Sequence, residues 1–321
     1  MKDTTPFVRM TSNTAWGGRV RENEIVSVKI IRDKSECKIE YDINNPPYIY
    51  FDTNVWIGIN DEDINMMKKF QNQRGFRYCY SSTNFIELIS HLDDLPTIPG
   101  KVPFLKYKAC FRKILNLCNA QILPSPEEEF LTVAGLQCYI DPVWIINFNQ
   151  MALEVEAIVN ANDSSELSKV INISHYKNLR ETDQKSMSDI MKLLPQTNTI
   201  ENKYDEILQW FMRLAYFFLL ERPSINRITY DKLTKEEKNR FNETFTRGAG
   251  SLFFNHCMSR VRKVLRKNSK IDPNDLYDML QLILLWDENR IFITNENSFF
   301  YYVVDTNQRV LSWEQFRESI I

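Results

Sequence analysis

Glycine is scarce in this sequence, with 8 residues among 321. Loops that cradle phosphate need glycine at fixed positions, and neither a G-x-x-x-x-G-K-S/T nor a G-x-G-x-x-G pattern occurs. The nearest approach, Gly248-Ala249-Gly250, lacks the third glycine and follows no evident strand. The common nucleotide-binding loops are therefore excluded, and any phosphate chemistry must use other groups.

The sequence also lacks the spacing of a zinc site and an excess of one charge. Its six cysteines form no C-x-x-C pair and its three histidines are scattered, which favours buried thiols in a reducing compartment. Lys and Arg number 40 against 42 Asp and Glu, for a formal net charge of −2. A uniformly basic coat for nucleic acid is excluded, although a local basic groove is not.

No long hydrophobic run and no leader pattern is evident. The most apolar stretch, 207–220, is interrupted by Gln209 and Arg213 and is too short to span a bilayer. Residues 1–6 contain no apolar segment of a secretion signal. From these absences we expect a cytoplasmic protein with no membrane partner.

Two short apolar runs predict strands that are buried on both faces. Tyr48–Phe51 ends at Asp52, and Arg290–Ile293 ends at Thr294. Capping signals and apolar periodicity predict helices between and around them, at about 104–118, 142–159, 177–194, 201–221, 250–267 and 272–286. This order predicts an α/β fold with a parallel sheet, in which sites lie at the carboxyl ends of the strands.

Acidic residues gather where such a sheet would build a site. Asp52 follows the first strand, Glu87 lies in a helix that opens with Ser, Thr and Asn, and Glu296 follows the second strand. Asp275 and Asp278 are three positions apart on one helix face. Oxygen-only clusters suit Mg²⁺ or Mn²⁺, which activate water and clamp phosphate. A solvated or helix-capping role is the alternative for each acid, and it is weakest for Asp52, which abuts four apolar residues.

Four segments carry a family resemblance. Tyr48–Trp56 resembles the opening of a PIN domain, a family of metal-dependent nucleases whose first strand ends in Asp, then Ser or Thr, and often Asn. Ser82–Leu88 resembles the second acidic motif and Asn274–Leu280 the third. Ile291–Phe299 resembles the fourth, in which a threonine follows a strand.

The resemblance implies a PIN-like parallel sheet sandwiched by helices, with Mg²⁺ or Mn²⁺ as cofactor. It implies catalytic roles for Asp52, Glu87, Asp278 and Asp275, and metal binding by these four and Glu296. It implies supporting roles for Thr53, Asn54, Ser82 and Thr294. The implied substrate is nucleic acid, with RNA favoured over DNA.

The sequence departs from the family pattern in two places. Glu296 stands where an Asp usually follows the threonine by two positions, and far more chain separates Glu87 from Asp272 than a compact PIN domain contains. Asp278 has the closer spacing to the fourth motif, with Asp275 as its neighbour. We therefore predict an N-terminal extension with a β-hairpin, a first nuclease part, a mainly helical insertion and a last nuclease part, at 1–46, 47–96, 97–270 and 271–321.

A basic stretch precedes the third acidic motif. It contains Arg260, Arg262, Lys263, Arg266, Lys267 and Lys270. Cations favour a helix C-terminus, so a solvated helix end explains them. In a nuclease they could instead hold the phosphate backbone beside the metal.

These observations together predict a Mg²⁺- or Mn²⁺-dependent endonuclease, most readily an endoribonuclease. A toxin, RNA-processing or defence role, an inhibitory or regulatory protein partner and an oligomeric state all stay open. The alternative is a non-catalytic PIN-like scaffold that binds RNA or a protein through the helical insertion, and Glu296 favours it. A haloacid-dehalogenase nucleophile is disfavoured because Asn54 stands where its second Asp is required. A serine nucleophile lacks the G-x-S-x-G motif.

Overall fold

A computed structural model of the protein describes most of the chain. It covers 28–33, 36–96, 102–118, 121–140, 142–192, 228–267, 279–302 and 309–320, with five single positions between 209 and 220. The two predicted buried strands lie within these ranges. Asp275, Asp278 and most of the predicted 201–221 helix lie outside them.

Six strands have bounds in the described part of the chain. They are Lys29–Asp33 (β1), Glu36–Glu40 (β2), Tyr48–Phe51 (β3), Arg77–Cys79 (β4), Arg290–Ile293 (β5) and Val310–Leu311 (β6). The last four form one parallel sheet in the order β4-β3-β5-β6. This confirms the expected α/β class with a parallel sheet, and both predicted buried strands are confirmed at the predicted residues.

Twelve α-helices have bounds within the described residues. They are Thr53–Gly58 (α1), Asp61–Arg74 (α2), Ser82–Ile89 (α3), Pro103–Cys118 (α4), Pro126–Val133 (α5), Pro142–Asn160 (α6), Ser164–Leu167 (α7), Ile173–Lys192 (α8), Lys235–Arg247 (α9), Ser251–Lys267 (α10), Asn297–Tyr302 (α11) and Trp313–Ile320 (α12). Short 3₁₀ turns occupy Gln137–Tyr139, Tyr230–Lys232 and Gln281–Trp286. Seven of these helices, α4 to α10, come between the two halves of the sheet in the chain.

The order in which successive strands are placed in the sheet reverses at β3. From β3 the chain builds β4 on one side, and it later places β5 on the other side. The backbone N–H of Asp52, just past β3, donates to the carbonyl of Ile293 at the end of β5 over 2.8 Å. A crevice opens where strand order reverses, outside the carboxyl ends of the two strands. By this rule, the end of β3 at Asp52 is the position where a binding site is expected.

Alternate residues of the strands pack into two separate cores, one on each face of the sheet. Ile49 and Phe51 face one core together with the α1, α3 and α4 side chains, whereas Tyr50 and Phe292 face the other. The Tyr50 and Phe292 rings stack with centroids 4.9 Å apart. Each fully buried side chain of this size stabilises the fold by roughly 1.5–3 kcal/mol. Burial on both faces therefore holds the sheet between layers of helices.

The expected N-terminal hairpin is present. β1 and β2 pair antiparallel, with Ile30 opposite Ile39, and both side chains are buried in the core that contains Phe51. Arg32 Nη2 donates to the carbonyl of Val310 over 2.8 Å, which fastens the hairpin to edge strand β6. The part of the predicted N-terminal extension before residue 28 lies outside the described residues.

The helix predictions hold best where a cap and an apolar face coincide. Pro103–Cys118, Pro142–Asn160 and Ser251–Lys267 match the expected helices within one residue at their described ends, and Thr234 with Glu237 forms the expected capping box. The α-helix expected through Trp286 is wrong at its end, because 281–286 winds as 3₁₀ turns. Strands β4 and β6 were not expected from the sequence.

Gly248 and Gly250 turn the chain between α9 and α10. A Cβ atom at Gly250 would lie 2.9 Å from the Cα of Phe245, and one at Gly248 would lie 2.9 Å from the Cα of Thr244. Such distances are too short for carbon atoms, so any side chain would distort the turn that ends α9. This tight turn explains the glycine pair, in agreement with the exclusion of a phosphate loop.

Candidate active site

Asp52 is the centre of the site. Its side chain follows β3, caps the N-terminus of α1 and is 2% exposed. One carboxylate oxygen, Oδ2, accepts from Thr294 Oγ1 over 2.8 Å, and the other, Oδ1, accepts from the backbone N–H of Thr53 over 2.7 Å. The carboxylate is thereby held in one orientation at the switch in strand order.

The pKa of Asp52 is raised to about 7, chiefly by burial and next by the nearby carboxylate of Glu87. The hydrogen bonds from Thr294 and from the Thr53 backbone oppose this rise, while Glu296 adds to it. Two other carboxylates therefore act on Asp52 through space. A cation placed among them would offset both the desolvation and the mutual repulsion.

Glu87 is near enough to Asp52 for its charge to raise the pKa of Asp52. It lies on α3, whose N-terminus is fixed by a capping box in which Ser81 and Asn84 exchange hydrogen bonds. Its Oε2 atom is buried and has no hydrogen-bond partner among the described residues. A buried carboxylate oxygen without a donor is costly unless a ligand satisfies it. Glu87 is therefore placed to share a ligand with Asp52.

The loop after β5 contributes the remaining described residues of the site. Thr294 is fully buried; its Oγ1 donates to Asp52 and accepts from the backbone N–H of Glu296 over 3.0 Å. Asn54 Oδ1 accepts from the backbone N–H of Asn295 over 3.3 Å. The expected supporting residues Thr294 and Asn54 thus bind the two strand ends together, and the Glu296 carboxylate stands on the same loop.

The Thr53 hydroxyl is hydrogen-bonded to a series of buried polar side chains. Asn84 Nδ2 donates to Thr53 Oγ1 over 3.1 Å, and Ser81 Oγ lies 3.0 Å from Asn84 Oδ1 and 3.2 Å from Gln281 Oε1. Ser82, expected to support the site, is buried beside this chain at the start of α3. Sequence reasoning did not single out Ser81, Asn84 or Gln281. The S-x-x-N spacing of a capping box was the available signal for the first two.

Several expected site residues cannot be placed. Asp275, Asp278 and Lys270 lie outside the described residues. The backbone of 251–267 is helical, but the described part of the chain does not include the side chains of Arg260, Arg262, Lys263, Arg266 and Lys267. Of the expected acids, Glu87 and Glu296 lie near enough to Asp52 for their charges to act on it.

The donor set of these acids consists of oxygen alone. Within the described ranges, no group of three or more His, Cys, Asp or Glu side chains is gathered closely enough to hold a metal ion. The partnerless Glu87 Oε2 and the doubly hydrogen-bonded Asp52 carboxylate nevertheless suit a hard cation, which prefers carboxylate and water oxygens. The residues present fit Mg²⁺ or Mn²⁺ with part of the coordination supplied from outside the pair.

No protein-family model, no curated protein and no solved structure matches this chain. In the part of the chain that the structure describes, none of the helices has both the length and the apolar character to cross a membrane.

Proposed function

We propose that this protein is a PIN-like, Mg²⁺- or Mn²⁺-dependent endonuclease that hydrolyses phosphodiester bonds, with RNA as the favoured substrate. The observation that carries the proposal is Asp52: a buried carboxylate at the reversal of strand order, oriented by Thr294 and facing the partnerless oxygen of Glu87. Such a pair at the carboxyl ends of parallel strands is suited to holding a cation against a phosphate.

The proposed architecture is a PIN-like nuclease domain formed by 47–96 and 271–321, interrupted by a helical insertion over 97–270. Strand order supports it, because β3 and β4 come from the first part and β5 and β6 from the second. The consecutive helices α4 to α10 between them agree with an insertion of this kind. The N-terminal hairpin would then be an addition that covers the edge strand β6.

In the proposed mechanism, Asp52 and Glu87 would hold the cation, and Asp278, Asp275 and Glu296 would complete the set. When bound, the cation would supply a water of lowered pKa and neutralise charge on the phosphate. Thr294 holds one oxygen of the Asp52 carboxylate, and the Thr53 backbone N–H holds the other. Burial of Asp52 keeps bulk water away and so strengthens its attraction for the cation.

The basic stretch in and after α10 is proposed as the nucleic-acid surface. Arg262, Lys263, Arg266 and Lys267 stand three and four positions apart along α10, the spacing at which residues share one helix face. Phosphate contacts of this kind bind all sequences alike and weaken with salt. They would supply affinity, while the carboxylates supply the chemistry.

The experiment that tests this function is cleavage of labelled single-stranded RNA and single-stranded DNA in parallel. We expect purified protein to cut RNA in Mn²⁺ or Mg²⁺, and EDTA to stop it. Internal cuts on a circular RNA would establish endonuclease action. Cleavage that continues in EDTA would contradict the metal mechanism. RNA binding without cleavage of either polymer would favour the non-catalytic scaffold, for which Glu296 in place of Asp is the supporting feature.

A further inference from the structure

Thr53 connects the Asp52 carboxylate to the polar chain beneath the site. Its backbone N–H donates to Asp52 Oδ1 over 2.7 Å, and its side-chain Oγ1 accepts from Asn84 Nδ2 over 3.1 Å. The threonine is 4% exposed. Its hydroxyl has a single hydrogen, and where that hydrogen points depends on Asn84.

The orientation of the Asn84 amide is fixed by its neighbours. Asn84 Oδ1 lies 3.2 Å from the backbone nitrogen of Ser81, which can only donate a hydrogen bond. The oxygen must therefore face Ser81, and the NH₂ group must face Thr53. Thr53 Oγ1 thus receives a hydrogen from Asn84, and it cannot return its own hydrogen along the same line.

Ser81 and Gln281 determine how this orientation is held. The one hydrogen of Ser81 Oγ cannot serve both Asn84 Oδ1 at 3.0 Å and Gln281 Oε1 at 3.2 Å. Gln281 Nε2 is meanwhile buried without a hydrogen-bond partner among the described residues. Turning the Gln281 amide by 180° resolves both conflicts, because oxygen and nitrogen exchange places and Nε2 then donates to Ser81 Oγ.

With that assignment the hydrogen bonds between these four side chains all run in one direction, from Gln281 to Thr53. Gln281 donates to Ser81, Ser81 donates to Asn84, and Asn84 donates to Thr53. Gln281, the first donor of this series, is held in place because its backbone carbonyl accepts from Tyr50 Oη over 2.8 Å. The Thr53 hydroxyl hydrogen is the one left over, on the residue whose backbone N–H binds the Asp52 carboxylate.

We propose that Thr53 is a catalytic residue whose hydroxyl donates to a non-bridging oxygen of the scissile phosphate, and that Asn84, Ser81 and Gln281 are positioning residues for that hydrogen. This inference rests on the proposed nuclease function. A donor fixed in advance stabilises the negative charge that grows on phosphate oxygens in the transition state. Among the described residues, the Thr53 hydroxyl accepts from Asn84 and donates to none, so we infer that the substrate is its acceptor.

The first test replaces the hydroxyl itself. Thr53→Val should lower kcat by about 10- to 100-fold, the range expected for loss of one donor to a charged transition state, with little change in KM. Thr53→Ser should restore most of the activity. The matched control is Thr83→Val, the same exchange at a buried threonine one position before Asn84. Mn²⁺ affinity, measured by calorimetry, should be equal in all four proteins.

The second test reverses the hydrogen without changing the shape. In Asn84→Asp the carboxylate can only accept, so Thr53 must donate toward it and away from the site. We expect a loss in kcat similar to that of Thr53→Val. The double variant should be no slower than the slower single variant, since both changes remove the same donor. Multiplying losses in the double variant would contradict a shared donor.

The two proposals fail in different ways. If the wild-type protein cuts no nucleic acid, the nuclease function fails and this inference fails with it. If the wild type cuts RNA but Thr53→Val retains its kcat, the donor role of Thr53 is wrong and the nuclease function stands. Circular dichroism and thermal melting of each variant exclude unfolding, and Thr53→Ser provides a folded reference if Thr53→Val does not fold.

Discussion

Asp52→Asn should reduce metal-dependent cleavage by at least about 10³-fold, an increase in barrier of roughly 4 kcal/mol. Asparagine preserves the size of the side chain and can still accept from the Thr53 backbone N–H. It cannot carry the charge that binds a cation, so the activated water is lost. Single-turnover cleavage of RNA at saturating Mn²⁺ measures the effect.

The same substitution should stabilise the metal-free protein above neutral pH. The folded-state pKa of Asp52 is raised from 3.8 to about 7, chiefly by burial. A raised carboxyl pKa means that stability is lost as pH climbs from the unfolded value to the folded one, because the folded state resists ionisation. Asparagine removes this penalty, so we expect Asp52→Asn to gain about 4 kcal/mol over wild type at pH 8 and little at pH 4.

The control for both effects is Asp61→Asn, which removes an exposed carboxylate nine positions along the chain. It should change neither cleavage nor the pH dependence of stability. Urea unfolding in EDTA at pH 4 and pH 8 provides the comparison. Full cleavage activity in Asp52→Asn would contradict the metal mechanism, and equal stability of wild type and Asp52→Asn at pH 8 would contradict a buried, ionised Asp52.

Arg290→Met should destabilise the folded protein by about 3–5 kcal/mol, the range for breaking a buried ion pair from one side. Arg290 opens β5 and is 1% exposed. Its guanidinium lies 3.3 Å from Glu129 Oε1 and 3.3 Å from Asp287 Oδ2, and it donates to the Leu284 carbonyl over 3.0 Å. Methionine fills similar space but leaves the buried Glu129 carboxylate without its cation.

The measurement is the free energy of unfolding in urea, with Arg317→Met as a surface control. The Arg317 side chain is 55% exposed, and its Nε atom lies 3.9 Å from Asp63 Oδ1. Such an exposed ion pair contributes little, so we expect Arg317→Met to cost less than about 1 kcal/mol. Replacing Glu129 as well, in Arg290→Met with Glu129→Leu, should recover part of the loss because no buried charge remains unpaired. A fall of less than 1 kcal/mol in Arg290→Met would show that this ion pair does not stabilise the sheet.

The fold was predictable where a single physical rule dominates a segment. Tyr48–Phe51 and Arg290–Ile293 form strands because an apolar run between turn signals can be buried on both faces of a sheet. β4 was missed because it has only three residues and begins with Arg77, a charged residue in a strand. Its guanidinium stacks over the Tyr48 ring with 3.5 Å to the centroid, a tertiary contact that no local pattern reveals.

The sequence identified charged residues of the candidate site but not the uncharged residues that bind them. Asp52, Glu87 and Glu296 stood out because carboxylates beside apolar strands need an explanation, and in the structure the charges of Glu87 and Glu296 both raise the pKa of Asp52. Asn84 and Gln281 carry no charge, so their residue types gave no chemical signal in the sequence. Gln281 becomes informative only once the fold lays it against Ser81, 200 positions away in the chain. Long-range contacts of this kind come from topology and not from local sequence.

The most direct test of the central claim is a calorimetric titration of Mn²⁺ into the metal-free protein, repeated for Asp52→Asn and Glu87→Gln. If these two carboxylates hold the cation, the wild type binds Mn²⁺ saturably and each variant binds at least about tenfold more weakly, because each loses one ligand. Equal Mn²⁺ affinity in all three proteins would contradict the proposed site.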